Sequence, residues 1–179
     1  MLKLDQNAAL THLEYCRRYR KTDTFYGIWT ESLIHYGEDV GYDKDKAPGM
    51  RKVDLHRRGG AFITQPGDIA YAHVTFERDS FNQKLSKFLI KKLAEKGIIA
   101  EYSGNDLLIN GHKVMGHMMK YWGGSQYFYG GHISFSVDLE KIESICTKPM
   151  EKIPAGLNEF GITREEVEEW LHEFWFRFK

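Results

Sequence analysis

Apolar side chains recur along this chain with two periods, and the switches between them mark its elements. Residues 4 to 20 carry Leu4, Ala8, Leu10, Leu13 and Tyr15 at roughly helical spacing. They end on Arg17, Arg18 and Arg20, cations that suit a helix C-terminus. Period two follows: residues 24 to 30 are aromatic and β-branched, and residues 32 to 36 read as a second strand. Residues 37 to 50 have no periodicity and read as a loop, and Val53 to Arg57 as a short strand ending at two glycines. Gln65-Pro66-Gly67-Asp68 is a turn; from Ile69 to Phe76, Ile69, Tyr71 and His73 alternate with Ala70, Ala72 and Val74.

The helical period returns from Ser80 to Lys96, where Phe81, Leu85, Phe88, Leu89, Lys92 and Leu93 share a face, with Ser80 expected to cap the start and Gly97 the end. Residues 98 to 102, 107 to 109 and 113 to 119 are strand candidates, the last two joined by an Asn110-Gly111 hairpin turn. A glycine-aromatic stretch from Tyr121 to Gly131 leads to an expected strand over 133 to 137, then a short helix over 138 to 145. Residues 163 to 178 close the chain as a helix, with Thr163 and Glu166 as its capping box. Strands and helices without repeats or linkers imply one α+β domain over residues 1 to 179, a mixed or antiparallel sheet with helices packed on it.

Composition narrows the class. With 42% hydrophobic and 14% aromatic residues the chain is too apolar for disorder, and 179 residues suffice for one well-cored domain. Lys+Arg and Asp+Glu are 25 each, so no global field points to nucleic acid. Cys16 and Cys146 stand 130 apart in sequence, which argues against a disulfide framework or a structural zinc site and fits a reducing compartment. No apolar run reaches a membrane span and no signal sequence opens the chain, so a cytoplasmic protein is expected.

Candidate chemistry gathers in two stretches. Arg57-Arg58-Gly59-Gly60-Ala61 joins two guanidinium forks to backbone that a phosphate can approach closely; the plain alternative is a solvated turn. Gly104-Asn105-Asp106, with Lys113 just past the next hairpin, offers an amide, a carboxylate and an ammonium; the plain alternatives are an Asx turn and a surface lysine. His112, His117 and His132 lack the spacing of a zinc site. Cys146 reads as a small packed residue, and the aromatics of 121 to 129 as core or as one wall of an acyl pocket.

In their order, these stretches resemble the catalytic domain of lipoate–protein ligases, within the superfamily of biotin ligases and octanoyltransferases. Gly27-Ile28-Trp29-Thr30-Glu31 with Gly37 resembles the family's early strand pair, and Arg57-Arg58-Gly59-Gly60-Ala61 with Pro66-Gly67-Asp68 resembles its Arg-Arg…Gly-Gly-Gly-Ala signature. Gly104-Asn105-Asp106 through Lys113-Val114-Met115-Gly116 is similar to the Asn-Asp…Gly-x-Lys-x-x-Gly block, and Gly131-His132-Ile133 through Glu140 to the passage after it. Departures are the single Gly59-Gly60 pair in place of three glycines, and Ile63-Thr64-Gln65 where the family carries Tyr-His-Asp.

The resemblance implies a class II biotin/lipoate ligase-like fold and ATP-dependent attachment of lipoate, through lipoyl-adenylate, to a carrier lysine; because the sequence ends about where that catalytic domain ends, no accessory C-terminal domain is expected. It implies Lys113 as the catalytic cation and Arg57, Arg58, Gly59, Gly60, Ala61, Asn105, Asp106, Gly116, His117 and Gly131 as substrate or adenylate contacts. Asp106 would also hold Mg²⁺. The implied partners are a lipoyl domain of a 2-oxoacid dehydrogenase or the glycine-cleavage H protein, with a separate accessory chain where activation requires one; nucleic acid and membrane are not among them. The rival activities are an octanoyltransferase using Cys146, a biotin–protein ligase, and a non-catalytic binder of acyl-adenylate or carrier.

Overall fold

The computed structural model describes residues 1–36, 42–43, 46–47, 50–54 and 62–178. Its elements, in order, are β1 (Leu2–Asp5), α1 (Gln6–Tyr19), β2 (Asp23–Ile28), β3 (Leu33–Tyr36), β4 (Arg51–Asp54), β5 (Phe62–Thr64), β6 (Ile69–Thr75), α2 (Phe81–Glu95), β7 (Ala100–Ser103), β8 (Asp106–Ile109), β9 (His112–Tyr121), β10 (Tyr127–Ile133), α3 (Leu139–Ile145), a 3₁₀ turn (Leu157–Phe160) and α4 (Arg164–Phe178).

Seven strands form the main sheet in the order β1-β2-β6-β10-β9-β8-β7, and β4-β3-β5 form a small one. The β1–β2 pair is parallel and every other neighbour in the main sheet is antiparallel. The α+β class expected from the sequence is therefore the one observed.

The alternation along β6 decides which layer covers each face. Ile69 and Tyr71 enter one core with Leu85, Leu89 and Leu93 of α2 and Val167, Leu171 and Phe174 of α4. Ala72 and Val74 enter a second core, under Ala9 and Cys16 of α1, with Phe25 and Phe128. Truncating a fully buried residue such as Leu85 or Leu171 to Ala would cost about 2–5 kcal/mol through lost burial and the cavity left behind.

The differences from the sequence reading have local causes. The helix expected from residue 4 starts at Gln6, and Leu2–Asp5 before it forms β1, largely exposed, paired by backbone with β2 and anchored by Leu4 on the second core and Lys3 on Glu168. Its last residue, Asp5, caps α1 by accepting the Ala8 N–H at 2.8 Å. Ser80 makes no side-chain cap on α2; Asp79 does that work, accepting the Phe81 N–H at 2.8 Å. The strand expected over 133 to 137 lies earlier, over Tyr127–Ile133, so the glycine-aromatic stretch is itself in the sheet. Its glycines belong there because β10 runs between close neighbours: a Cβ on Gly131 would stand 2.3 Å from Gly116 O. The Asn110-Gly111 turn (φ 51° and 81°) and the Thr163–Glu166 capping box are as expected.

Candidate functional site

Paired residues of neighbouring strands share a face, so the register can be read as rows across the sheet. One row runs Leu4, Gly27, Ala70, His132, Gly116, Asp106. The next runs Phe25, Ala72, Gly130, Met118. Five of these positions are Gly or Ala, which leaves the middle of this face hollow beneath α1. The result is a cavity of about 360 Å³ walled mainly by apolar groups, Leu10, Leu13, Phe25, Trp29 and Phe128 among them.

Lys113 reaches the end of that cavity through a register shift. Leu107 pairs with Met115 and Leu108 with Lys113, so β9 carries one extra residue, Val114. Three residues apart, Lys113 and Gly116 would ordinarily face opposite sides of a strand; the bulge turns both to the side of Asp106. The Lys113 ammonium then lies 2.9 Å from Asp106 Oδ1. Asn105, Asp106, Lys113 and Gly116 thus come together at one cavity wall.

A second cavity of about 460 Å³ lies beyond them and shares Asp106, Lys113 and His132 with the first. Its far wall is the segment after α3, which returns to β9: the Lys113 N–H donates to Ile153 O at 2.9 Å and the Ala155 N–H to Lys113 O at 3.0 Å. This clamp brings Lys152 to Asp106, with its ammonium 2.8 Å from Oδ2 and 3.1 Å from Ser103 O. Sequence reasoning missed Lys152. No periodicity or motif marks it, and the only hint was a basic, proline-flanked segment, Lys148 to Pro154.

Burial alone would raise the Asp106 carboxyl, but the hydrogen bonds and charges of Lys152 and Lys113 outweigh it and hold the group below the usual carboxylate range. With an ammonium on each oxygen, this carboxylate is a poor seat for a divalent cation. Among the described residues no group of three His, Cys, Asp or Glu side chains could hold a metal. Asp68, on the second cavity's wall, is buried and accepts the N–H groups of Phe135 (2.8 Å) and Gln65 (2.9 Å). Burial pushes it up to about 7 against the pull of those N–H groups and that of Ser136.

Gly131 and His117 also border the first cavity, but their register row, Tyr26, Tyr71, Gly131, His117, belongs to the opposite face. The His117 ring is committed there, with Nδ1 2.9 Å from Tyr71 Oη and Nε2 3.3 Å from Ser86 Oγ. Because Gly131 has no side chain, the Tyr71 hydroxyl can cross β10 to reach it. Burial, with the Lys113 charge, draws His117 down to about 4 despite Asp106, so the ring is neutral at pH 7. Arg57, Arg58, Gly59, Gly60 and Ala61 lie outside the described residues. Cys146 lines the second cavity, and its thiol is raised by burial and by Glu143.

Solved structures share this architecture. P. falciparum LipL1 in complex with lipoate superposes with TM-score 0.78 at 14% identity, over 99% of this chain and 60% of that one. A bi-partite lipoate protein ligase from Thermoplasma acidophilum, from a structural analysis of that ligase and its E2 lipoyl domain, gives 0.76 at 17%, over 97% and 80%. A biotin protein ligase from Leishmania major with biotinyl-5-AMP is more distant, at 0.53 and 12%, over 90% and 68%. No curated protein matches the sequence. The family model described as the lipoyl protein ligase A/B catalytic domain matches residues 38–171, most of the chain and all of the Asp106–Lys113–Lys152 cluster, and the chain belongs to that family.

Proposed function

We propose that this protein attaches lipoate to a lysine of a lipoyl carrier in two steps, forming lipoyl-adenylate from lipoate and ATP and then transferring the acyl group. The observation that carries this reading is the meeting of two cavities at Lys113 and Asp106, one walled mainly by apolar groups and a second with more polar and charged groups in its lining. An acyl chain suits the hollow under α1, and a nucleotide suits the cavity beyond. The carboxylate and the α-phosphate would then meet beside the Lys113 ammonium, where Asn105 and Asp106 complete the wall.

In the first step a carboxylate oxygen bonds to the α-phosphorus as the bond to pyrophosphate breaks. In the second, the carrier's neutral lysine amine bonds to the acyl carbon as the bond to AMP breaks, and the proton it sheds passes to solvent. Negative charge builds on oxygen in both steps, and a positioned ammonium lowers both barriers. Arg57, Arg58 and the glycines after them are proposed to hold the adenylate. The bi-partite T. acidophilum ligase with its E2 lipoyl domain supports a lipoyl domain as acceptor and a separate accessory chain as an option for activation.

The test is incubation with ATP and lipoate, then with a lipoyl domain, following acyl-adenylate and acylated carrier by mass spectrometry. Acyl-adenylate from lipoate, and its loss by on the order of 100-fold in Lys113→Ala, is the expected result. Arginine should not restore it fully, because its planar fork differs in shape and reach from a compact ammonium. Near-normal turnover in Lys113→Ala would end this reading. Octanoyl transfer from acyl carrier protein is the second reading, favoured by one observation, the presence of Cys146 in the Lys113 cavity.

A further inference from the structure

Asp106 accepts an ammonium on each oxygen, Lys113 at 2.9 Å and Lys152 at 2.8 Å, and both lysines face the second cavity. We propose that Lys152 is the binding residue for the pyrophosphate end of the nucleotide, with Asp106 acting as the bridge that sets two lysines apart for two phosphate positions. This rests on the adenylate-forming reading and adds a residue that the family resemblance did not supply.

Three features point this way. Lys152 is fixed before any ligand arrives, since the backbone clamp at Lys113 holds its segment and Asp106 and Ser103 O take two of its three N–H donors. Among the described residues nothing takes the third donor, which is open to a ligand. Second, Lys113 stands where the two cavities meet, whereas Lys152 borders only the second, so its charge lies away from the acyl chain. Third, three ammonium groups, Lys113, Lys148 and Lys152, line that cavity and can donate N–H groups to an anion; of the three carboxylates there, Asp106, Glu151 and Asp68, Asp106 is held by two of those lysines and Asp68 is turned to backbone N–H groups.

During adenylation the electron pair of the breaking bond between the α-phosphorus and its bridging oxygen goes to the departing pyrophosphate. Lys152 would receive that charge while Lys113 holds the α-phosphate. A cation exchanged onto Asp106 would have to displace an ammonium, so the same geometry assigns the carboxylate to the lysines rather than to Mg²⁺.

Calorimetry on the full chain tests this with two probes, inorganic pyrophosphate in EDTA and a non-hydrolysable acyl-adenylate analogue. Lys152→Gln should weaken pyrophosphate by about tenfold or more, the loss of one charge-assisted hydrogen bond, and leave the analogue within about twofold. Lys152→Arg should keep most of the pyrophosphate affinity, which separates lost charge from a damaged fold. The proposal is overturned if Lys152→Gln binds pyrophosphate like the parent, if both probes weaken equally, or if the parent binds pyrophosphate only when Mg²⁺ is added. A parent that binds pyrophosphate in EDTA but not the analogue would refute the adenylate-forming reading and leave the anion site standing.

Discussion

The Lys113 side chain lies directly over Gly116: a Cβ at Gly116 would stand 2.9 Å from Lys113 Cε and 3.0 Å from Nζ. The bulge at Val114 puts the two residues on one face, and the missing side chain lets the ammonium cross to Asp106. Gly116→Ala should therefore push the lysine off its line without asking the backbone for a left-handed conformation, since Gly116 has no positive φ. Displacing a reacting-centre charge by about 1 Å can cost on the order of 100-fold in rate. Single-turnover adenylation should fall by roughly ten- to 100-fold, with the melting temperature nearly unchanged. A variant as fast as the parent would mean that Lys113 acts from some other position.

The hollow under α1 invites a filling experiment. Ala70 sits in the row between Gly27 and His132 and borders the apolar cavity. Ala70→Leu places an isobutyl group where the acyl chain is proposed to lie, and burial of that group against Phe25 and Trp29 should leave stability unchanged or raise it slightly. Lipoate affinity should drop by about tenfold or more, while pyrophosphate affinity stays, both read by calorimetry. Unchanged lipoate binding would place the acyl chain elsewhere.

Much of this was legible in the sequence. The alternation of Ile69 to Val74, the amphipathic periods of α2 and α4, and the Asn110-Gly111 turn fixed the strands and helices they belong to, because each signal is local. The Asn105, Asp106, Lys113 and Gly116 block was legible as one constellation, and the structure brings it together. Other features were not. β1 alternates Leu2 and Leu4 with Lys3 and Asp5, but four residues running straight into α1 are too few to stand apart from the helical spacing of Leu4, Ala8 and Leu10. The bulge that turns Lys113 toward Asp106 is a property of strand pairing, not of residue type. Lys152 arrives from a non-periodic segment 46 residues beyond Asp106, so only the folded chain reveals it.

His117 gives the protein a pH signature separate from catalysis. Its ring is neutral in the fold down to about pH 4, whereas an unfolded histidine takes up its proton near 6.5. Between those values the unfolded chain binds more protons, so stability falls as pH drops from about 6.5 to about 4 and levels off below. The loss attributable to this residue is about 3 kcal/mol at most. His117→Gln cannot be protonated. It should be less stable than the parent at pH 7 by about 1–2 kcal/mol, through weaker contacts with Tyr71 and Ser86, yet lose less on acidification. Urea unfolding at pH 7 and pH 4.5 checks this; equal acid losses in the two proteins would show that His117 does not titrate as described.

Cys146 decides between ligase and transferase chemistry. A transferase would need its thiolate to take an octanoyl group from acyl carrier protein as a thioester before passing it to the carrier lysine. The residue is placed in the Lys113 cavity, which favours that route. Its electrostatics oppose it: burial and the Glu143 carboxylate raise the thiol, whereas a reactive cysteine sits among groups that lower it. Cys146→Ser should therefore keep most of the ATP-dependent activity, within about threefold, since the smaller hydroxyl alters packing only slightly. Incubating the parent with octanoyl-acyl carrier protein should leave no acyl-thioester in its intact mass. A mass increase of one octanoyl group that disappears in Cys146→Ser would transfer the activity to the octanoyltransferase class, with Lys113 retained as the cation beside the acyl carbonyl.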